Sequence, residues 1–158
     1  MITNRQINFF AFIFCMGLIA TALYMQHVME LRPCYLCVTQ RVFVVTTGML
    51  TLLALLHNRG LKIYGSLTIV SALGGGYFSA KQLWLQNLPV DQIPACGPPA
   101  EYLFNAFNFS EALSMLLQGD GNCATIQWTF LHLSIPGWTL VSFLLLAILG
   151  LLPIIRKR

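Results

Sequence analysis

Four stretches of the chain are dominated by apolar residues and carry no charged side chain, at about residues 8–25, 42–56, 63–80 and 138–155. A helix needs roughly 17–25 residues to cross the hydrocarbon core of a bilayer. The second stretch reaches that length only if its helix begins further out, at about residue 38, beside Pro33-Cys34-Tyr35-Leu36-Cys37. The second and third stretches are separated by His57-Asn58-Arg59-Gly60-Leu61-Lys62, a tight turn that makes them antiparallel neighbours. The remaining chain forms two loops, at about 26–37 and 81–137. Inside the longer loop Phe109, Leu113, Leu116 and Leu117 recur at i, i+4, i+7 and i+8, which is helical spacing. Asn108 and Glu111 supply a capping-box-like start and Gly119 an end. That helix is too short to span and is predicted to lie along the membrane surface with its apolar side down. The pattern predicts an all-α membrane protein: a four-transmembrane-helix bundle forming one integral domain over residues 1–158, with a short interfacial helix in the second loop.

Composition supports the bundle. Hydrophobic residues make up 57% of the chain and charged residues 9%, against about 25% charged in soluble domains. Lipid must therefore cover what polar side chains cannot. The net charge of +4 is modest, and no basic patch is interleaved with aromatics, so nucleic acid is not an expected partner. The first stretch is read as an uncleaved span: only Arg5 precedes it, its apolar core exceeds the usual 7–15 residues of a signal peptide, and no A-x-A site follows.

Charge then orients the bundle. Arg5, Arg59, Lys62, Arg156, Lys157 and Arg158 fall on one side. The other side holds Arg32, Arg41 and Lys81, with all five acids, Glu30, Asp91, Glu101, Glu111 and Asp120. The positive-inside rule puts both termini in the cytoplasm and both loops outside. Cys34 and Cys37 then belong to the first outer loop, Cys96 and Cys123 to the second, and Cys15 to a span. Disulfides persist outside the cytosol, so cysteine position and charge give the same topology. Cys15 is expected to be a small buried hydrophobe.

Proline favours the first turn of a helix, so Pro33 places Cys34 and Cys37 in the first turns of the second helix, three residues apart on one face. A helix N-terminus stabilises a thiolate. Arg41 follows four residues after Cys37, and its charge cannot be titrated away. It is either an arginine snorkelling to the interface or a fixed cation held beside the cysteines for a purpose. The prolines around Cys96, in Ile93-Pro94-Ala95-Cys96-Gly97-Pro98-Pro99, predict an extended, poorly self-bonded strip that another protein's groove could take up. Cys123 follows Gly119-Asp120-Gly121-Asn122, a flexible turn sequence. One rigid exposed cysteine and one mobile cysteine suit a pair that opens and re-pairs; a structural disulfide bracing the loop fits the same residues. His27, His57 and His132 read as interfacial residues, and Trp84, Trp128 and Trp138 as aromatic-belt anchors.

The markers now on hand resemble the DsbB family of bacterial inner-membrane disulfide-bond formation proteins, over almost the whole chain. They are Gln26-His27-Val28-Met29, Pro33-Cys34-Tyr35-Leu36-Cys37 with Gln40-Arg41, Trp84-Leu85-Gln86-Asn87-Leu88-Pro89 before Pro94-Ala95-Cys96, Gly119-Asp120-Gly121-Asn122-Cys123-Ala124, Gln127-Trp128, and Pro136-Gly137-Trp138. Lys81 stands where short members of the family more often carry arginine. The resemblance implies a quinone-dependent thiol oxidoreductase of the inner membrane. Cys96 and Cys123 would form the disulfide that oxidises a periplasmic, thioredoxin-like DsbA, whose thiolate attacks Cys96. Cys123 would then exchange with Cys34–Cys37, Cys37 would contact a membrane quinone (ubiquinone or menaquinone), and Arg41 would stabilise the developing charge. The established potential of DsbA is about −120 mV, whereas structural disulfides lie below about −300 mV. A Cys96–Cys123 bond able to oxidise it must be strained, exposed or coupled to quinone reduction.

Other classes fit less well. Four cysteines could bind zinc, but the second pair lacks CxxC spacing. A small transporter would want an ionisable residue inside a span, and every acid lies in an outer loop. A vitamin K epoxide reductase-like protein would carry its CxxC late in the bundle, whereas here it opens the second helix.

Overall fold

The structure is a computed structural model and describes residues 3–99, 102–103 and 107–155. Glu101 and the basic residues 156–158 of the charge argument lie outside these. In chain order the elements are α1 (Asn4–His27), α2 (Tyr35–His57), α3 (Leu61–Gln86), α4 (Phe109–Gln118), β1 (Thr129–Phe130), β2 (Leu133–Ser134) and α5 (Ile135–Ile155).

Local chemistry sets the boundaries. Thr3 caps α1 in a reciprocal capping box with Gln6: the Gln6 amide donates to Thr3 Oγ1 at 3.3 Å and the Thr3 amide to Gln6 Oε1 at 2.8 Å. Between α2 and α3 the chain reverses within three residues because Asn58 (φ 46°) and Gly60 (φ 64°) both take left-handed conformations. The expected tight turn is therefore present. Arg5 and Arg59 meet at the same end of the bundle, where they line one shallow hollow.

Helices α1, α2 and α5 are each long and apolar enough to cross a membrane. The fourth long helix, α3, is turned inside out relative to a soluble helix. Gly65, Thr68, Ala72, Gly75, Ser79 and Gln82 form its buried seam, while Ile63, Leu67, Val70, Leu73, Tyr77 and Trp84 are exposed. Small and polar residues at helix contacts, with apolar side chains outward, are the packing rule of membrane bundles. Its polar seam lowers the mean hydropathy of α3 without making it a soluble helix. Close approach follows from the seam. A Cβ added at Gly65 would stand 2.7 Å from the Gly150 carbonyl oxygen of α5, and one at Gly75 would stand 2.2 Å from Phe143 Cζ. Phe143 is buried and fills that notch. Gly75→Ala is therefore expected to overpack the α3–α5 contact and cost about 1–3 kcal/mol, read as a lowered melting temperature of the detergent-solubilised protein. Gly17→Ala, which meets nothing within 4 Å, is expected to leave it unchanged. Cys15 packs against Gly48 in the bundle core, as a small hydrophobe.

Two elements differ from the sequence expectation. Helix α4 forms where predicted, but Asn108 makes no side-chain capping bond, so the capping box is not realised. Leu116, assigned from spacing to the membrane side, turns inward with Ala112 onto Tyr35, Leu36, Leu85 and Leu103. Phe109, Leu113 and Leu117 stay exposed on the adjoining face. Lys81 Nζ donates to the Leu117 carbonyl at 2.9 Å, so a cation of α3 satisfies one of the last carbonyls of α4. The second difference is the β1–β2 hairpin just before α5, which pairs Thr129 with Ser134 and Phe130 with Leu133. Leu131 (φ 50°) and His132 (φ 64°) make its two-residue turn. Positive φ at both central residues is the tight-hairpin geometry normally signalled by Asn-Gly, and neither residue carries that signal.

Candidate active site

The site is built on the N-terminus of α2. Cys34 is the N-cap, with extended backbone (φ −77°, ψ 172°), rather than a residue of the first turn. Cys37 lies one turn on, and its sulfur is 3.0 Å from that of Cys34. Cys123 lies in the same buried cluster as Cys34, and its influence, then that of Cys37, then burial, hold the Cys34 thiol's pKa above the ordinary value. Cys34, Cys37 and Cys123 thus share one packed cluster under α4, with Leu36 and Tyr35.

A buried glutamine underlies the pair. Gln82 Nε2 donates to the sulfurs of both Cys34 and Cys37 at 3.3 Å. Its Oε1 accepts from Gln40 Nε2 at 2.8 Å, and Gln40 Oε1 accepts from Thr139 Oγ1 at 2.8 Å. Helices α2, α3 and α5 are thereby joined by a satisfied polar chain that ends on the two sulfurs.

On the other side of Cys37 lies a cavity of about 300 Å³ between α1, α2, α5 and the hairpin. Leu18, Ile19, Met25, Val44 and Phe143 make apolar walls, and Cys37, Gln40 and Arg41 form a polar end. Arg41 is fixed there from α1: Gln26 Oε1 accepts from Nη1, and the Ala22 carbonyl accepts from Nη2 at 3.2 Å. Trp128 and Trp138 also line the cavity, bracketing Phe130 with ring centroids 5.9 and 6.0 Å away. The Trp138 indole N–H donates to the Phe130 carbonyl at 3.0 Å. The hairpin therefore forms an aromatic roof. Trp84 is exposed and lies away from this cavity, as does His27.

The loop cysteines meet the same end of the bundle. Cys96 is exposed on the irregular strip, and its sulfur would stand 3.0 Å from a Cβ built at Gly121. The strip is more bonded than its prolines predict. The Ala95 carbonyl accepts from the Gly121 amide at 3.3 Å, the Gly97 amide donates to Asp120 Oδ2 at 3.0 Å, and the Pro98 carbonyl accepts from Tyr35 Oη at 2.6 Å. Cys123 is not an exposed turn residue: it is fully buried in the short 3-10 turn Gly121–Ala124.

All four loop cysteines and Arg41 are thus gathered around the N-terminus of α2, as singled out from sequence. Gln82, Thr139, Tyr35 and Asp120 were not singled out. The available signal for Gln82 was the cost of a large polar side chain inside an apolar helix, at heptad-like spacing with Gly75 and Ser79 on the buried seam.

The sequence profile of the family described as disulfide bond formation protein DsbB matches residues 4–153. The disulfide bond formation protein B of Hahella chejuensis is 52% identical over 146 residues, covering 90% of this chain and 88% of the relative. That of Saccharophagus degradans is 49% identical over 156 residues, covering 97% and 94%. Disulfide bond formation protein B 1 of Pseudomonas aeruginosa is 42% identical over 142 residues, covering 88% and 87%. Likeness of this extent, on a helical bundle that gathers a CxxC, two further cysteines and a fixed arginine, has one conclusion: the chain belongs to the DsbB family, the membrane-embedded, quinone-dependent thiol oxidoreductases of disulfide bond formation.

Proposed function

We propose that this chain reoxidises a DsbA-type, thioredoxin-like dithiol protein at Cys96 and Cys123, and passes the electrons through Cys34 and Cys37 to a quinone held in the cavity between α1, α2 and α5. The observation that carries this reading is the position of Cys37, which touches Cys34 on one side and lines the cavity with Arg41 on the other.

The thiol steps follow from exposure and neighbourhood. The donor's thiolate attacks Cys96 Sγ, the exposed sulfur; the donor–Cys96 bond forms, the Cys96–Cys123 bond breaks, and the electron pair stays on Cys123. Cys123 attacks Cys34, its neighbour in the buried cluster. The Cys123–Cys34 bond forms, and the pair from the broken Cys34–Cys37 bond comes to rest on Cys37, against the cavity. The donor's second thiol displaces Cys96 and leaves as the oxidised protein. Cys96 then attacks Cys123, restoring the loop disulfide and leaving Cys34 and Cys37 reduced.

The cavity fits a quinone headgroup. Its volume falls at the small end of the usual 300–1,000 Å³ range, its walls are apolar, and its polar end offers donors from Arg41 and Gln40 to carbonyl oxygens. When bound, a quinone supplies the two-electron acceptor; ubiquinone and menaquinone share the required chemistry. Arg41 holds a positive charge at that end together with Cys37, and Gln82 donates to both sulfurs from the α3 side. With Arg5 and Arg59 at the opposite end of the bundle from the cysteines, the positive-inside rule supports cytoplasmic termini and periplasmic redox loops in the inner membrane.

The test is quinone loss, followed by absorbance, with the purified protein and reduced DsbA as donor. Catalytic loss is expected; no turnover by folded protein with several quinones sinks the reading. Gln82→Leu is expected to lower kcat about tenfold, since hydrogen bonds to a charged group are worth about 1.5–3 kcal/mol and 1.4 kcal/mol is a factor of ten.

A further inference from the structure

Asp120 is buried at 5% exposure, and its partners among the described residues include no cation. Its Oδ1 accepts from the Cys123 thiol at 3.4 Å. Its Oδ2 accepts from the amide of Gly97, the residue after Cys96, at 3.0 Å, and from the Asn122 side chain. Asn122 Nδ2 also reaches the Gly97 carbonyl at 3.4 Å. Asp120 is in addition the N-cap of the 3-10 turn, and its carbonyl accepts from the Cys123 amide at 3.0 Å. One carboxylate therefore touches the backbone beside Cys96 and the side chain of Cys123. A buried carboxylate without a cation is costly, and nothing in the proposed exchange steps uses it.

We propose that Asp120 is the positioning residue of the second redox pair: a clasp that holds the Cys96 strip against the Cys123 turn and so sets how readily the Cys96–Cys123 disulfide closes. This rests on the reading of Cys96 and Cys123 as an exchanging pair. Two effects of the carboxylate oppose each other. Its bond from the thiol favours the open, reduced pair, but a thiol is a weak donor. Its bond from the Gly97 amide is charge-assisted, about twice as strong as a neutral one, and persists whether the disulfide is open or closed. The clasp on the strip wins, and it raises the effective concentration of one sulfur for the other. The step it favours is the last one: Cys96 attacks Cys123 in the Cys123–Cys34 disulfide, the Cys96–Cys123 bond forms, and the electron pair leaves on Cys34. No further oxidant is required.

The experiment is a redox titration of the full chain carrying Cys34→Ser and Cys37→Ser, equilibrated in graded dithiothreitol buffers and read by alkylation and mass. Asp120→Ala is expected to lower the equilibrium constant for closing Cys96–Cys123 about tenfold, a potential about 30 mV less negative. Asn122→Ala is expected to shift it in the same direction by a smaller factor, and Asp120→Asn, which keeps a neutral acceptor for the Gly97 amide, to restore part of the Asp120→Ala loss. With Cys34 and Cys37 intact, Asp120→Ala is expected to lower kcat with the donor's KM unchanged. An unchanged or more negative potential in Asp120→Ala overturns the clasp; should that variant not fold, the same result in Asn122→Ala does so. The titration needs no turnover, so an unaltered potential in an enzyme that still consumes quinone counts against Asp120 alone. A shifted potential in a parent chain that consumes none counts against the relay alone.

Discussion

Cys37→Ser is expected to abolish quinone consumption, a loss on the order of 10³-fold or more as for removal of a catalytic nucleophile, yet to leave one round of donor oxidation intact. The asymmetry follows from position. Cys37 lines the cavity, so on the proposed path its loss leaves no sulfur to reduce the acceptor. On the proposed pairing Cys96 and Cys123 can still form a disulfide, and the exposed Cys96 can still take a donor thiolate. Mixing oxidised Cys37→Ser protein with reduced donor should yield one equivalent of oxidised donor per chain and then stop. Cys96→Ser should yield none. Equal burst amplitudes in the two variants would contradict the proposed order of the two pairs.

Arg41→Met carries the second largest expected effect, a fall in kcat of about 10²–10³, the usual cost of removing one preorganised donor from a developing anion, with a raised apparent KM for quinone. The structural alternative is explicit, because Arg41 also ties α2 to α1 through Gln26 and the Ala22 carbonyl. A tie alone predicts a lower melting temperature with turnover preserved. Arg41→Lys separates the two further: lysine keeps the charge but lacks the planar fork that reaches two acceptors at once. Partial turnover is expected from it. Unchanged turnover and quinone affinity in Arg41→Met would remove Arg41 from the mechanism.

The helices were legible because lipid imposes a simple requirement, long stretches without charge, and because Asn58-Arg59-Gly60 breaks the second from the third. The cysteines and Arg41 were legible because they lie within a few residues of each other around Pro33, or in loops with their own turn chemistry. What escaped was whatever depends on contacts between elements. Gln82 meets Gln40 and Cys34 across 42 and 48 residues of chain, a distance that no periodic pattern records. The apolar run of α3 ends near Lys81, but the helix continues to Gln86 because Gln82 and Leu85 pack inward beneath the CxxC. Asp120 read as a turn residue and a negative charge; only the fold brings the Cys96 strip to it. The hairpin was silent because Leu131 takes a left-handed conformation that leucine seldom adopts, and the Leu131-His132 turn lacks the usual glycine.

Leu36, between the two cysteines of the CxxC, is fully buried, and so is Cys123 below α4. The consequence is insulation. A small soluble thiol can collide freely with the exposed Cys96, but toward Cys34 and Cys37 it meets a cleft of about 20 Å³ beside Arg32, Gln86 and Asn122, too small to admit it. On the proposed relay the two half-reactions meet at the Cys34–Cys37 sulfur contact of 3.0 Å, so electrons would pass as a pair through a disulfide that a docked protein has opened. Such a junction behaves like a fuse between the aqueous thiol pool and the lipid-phase acceptor, and it keeps the two from equilibrating directly.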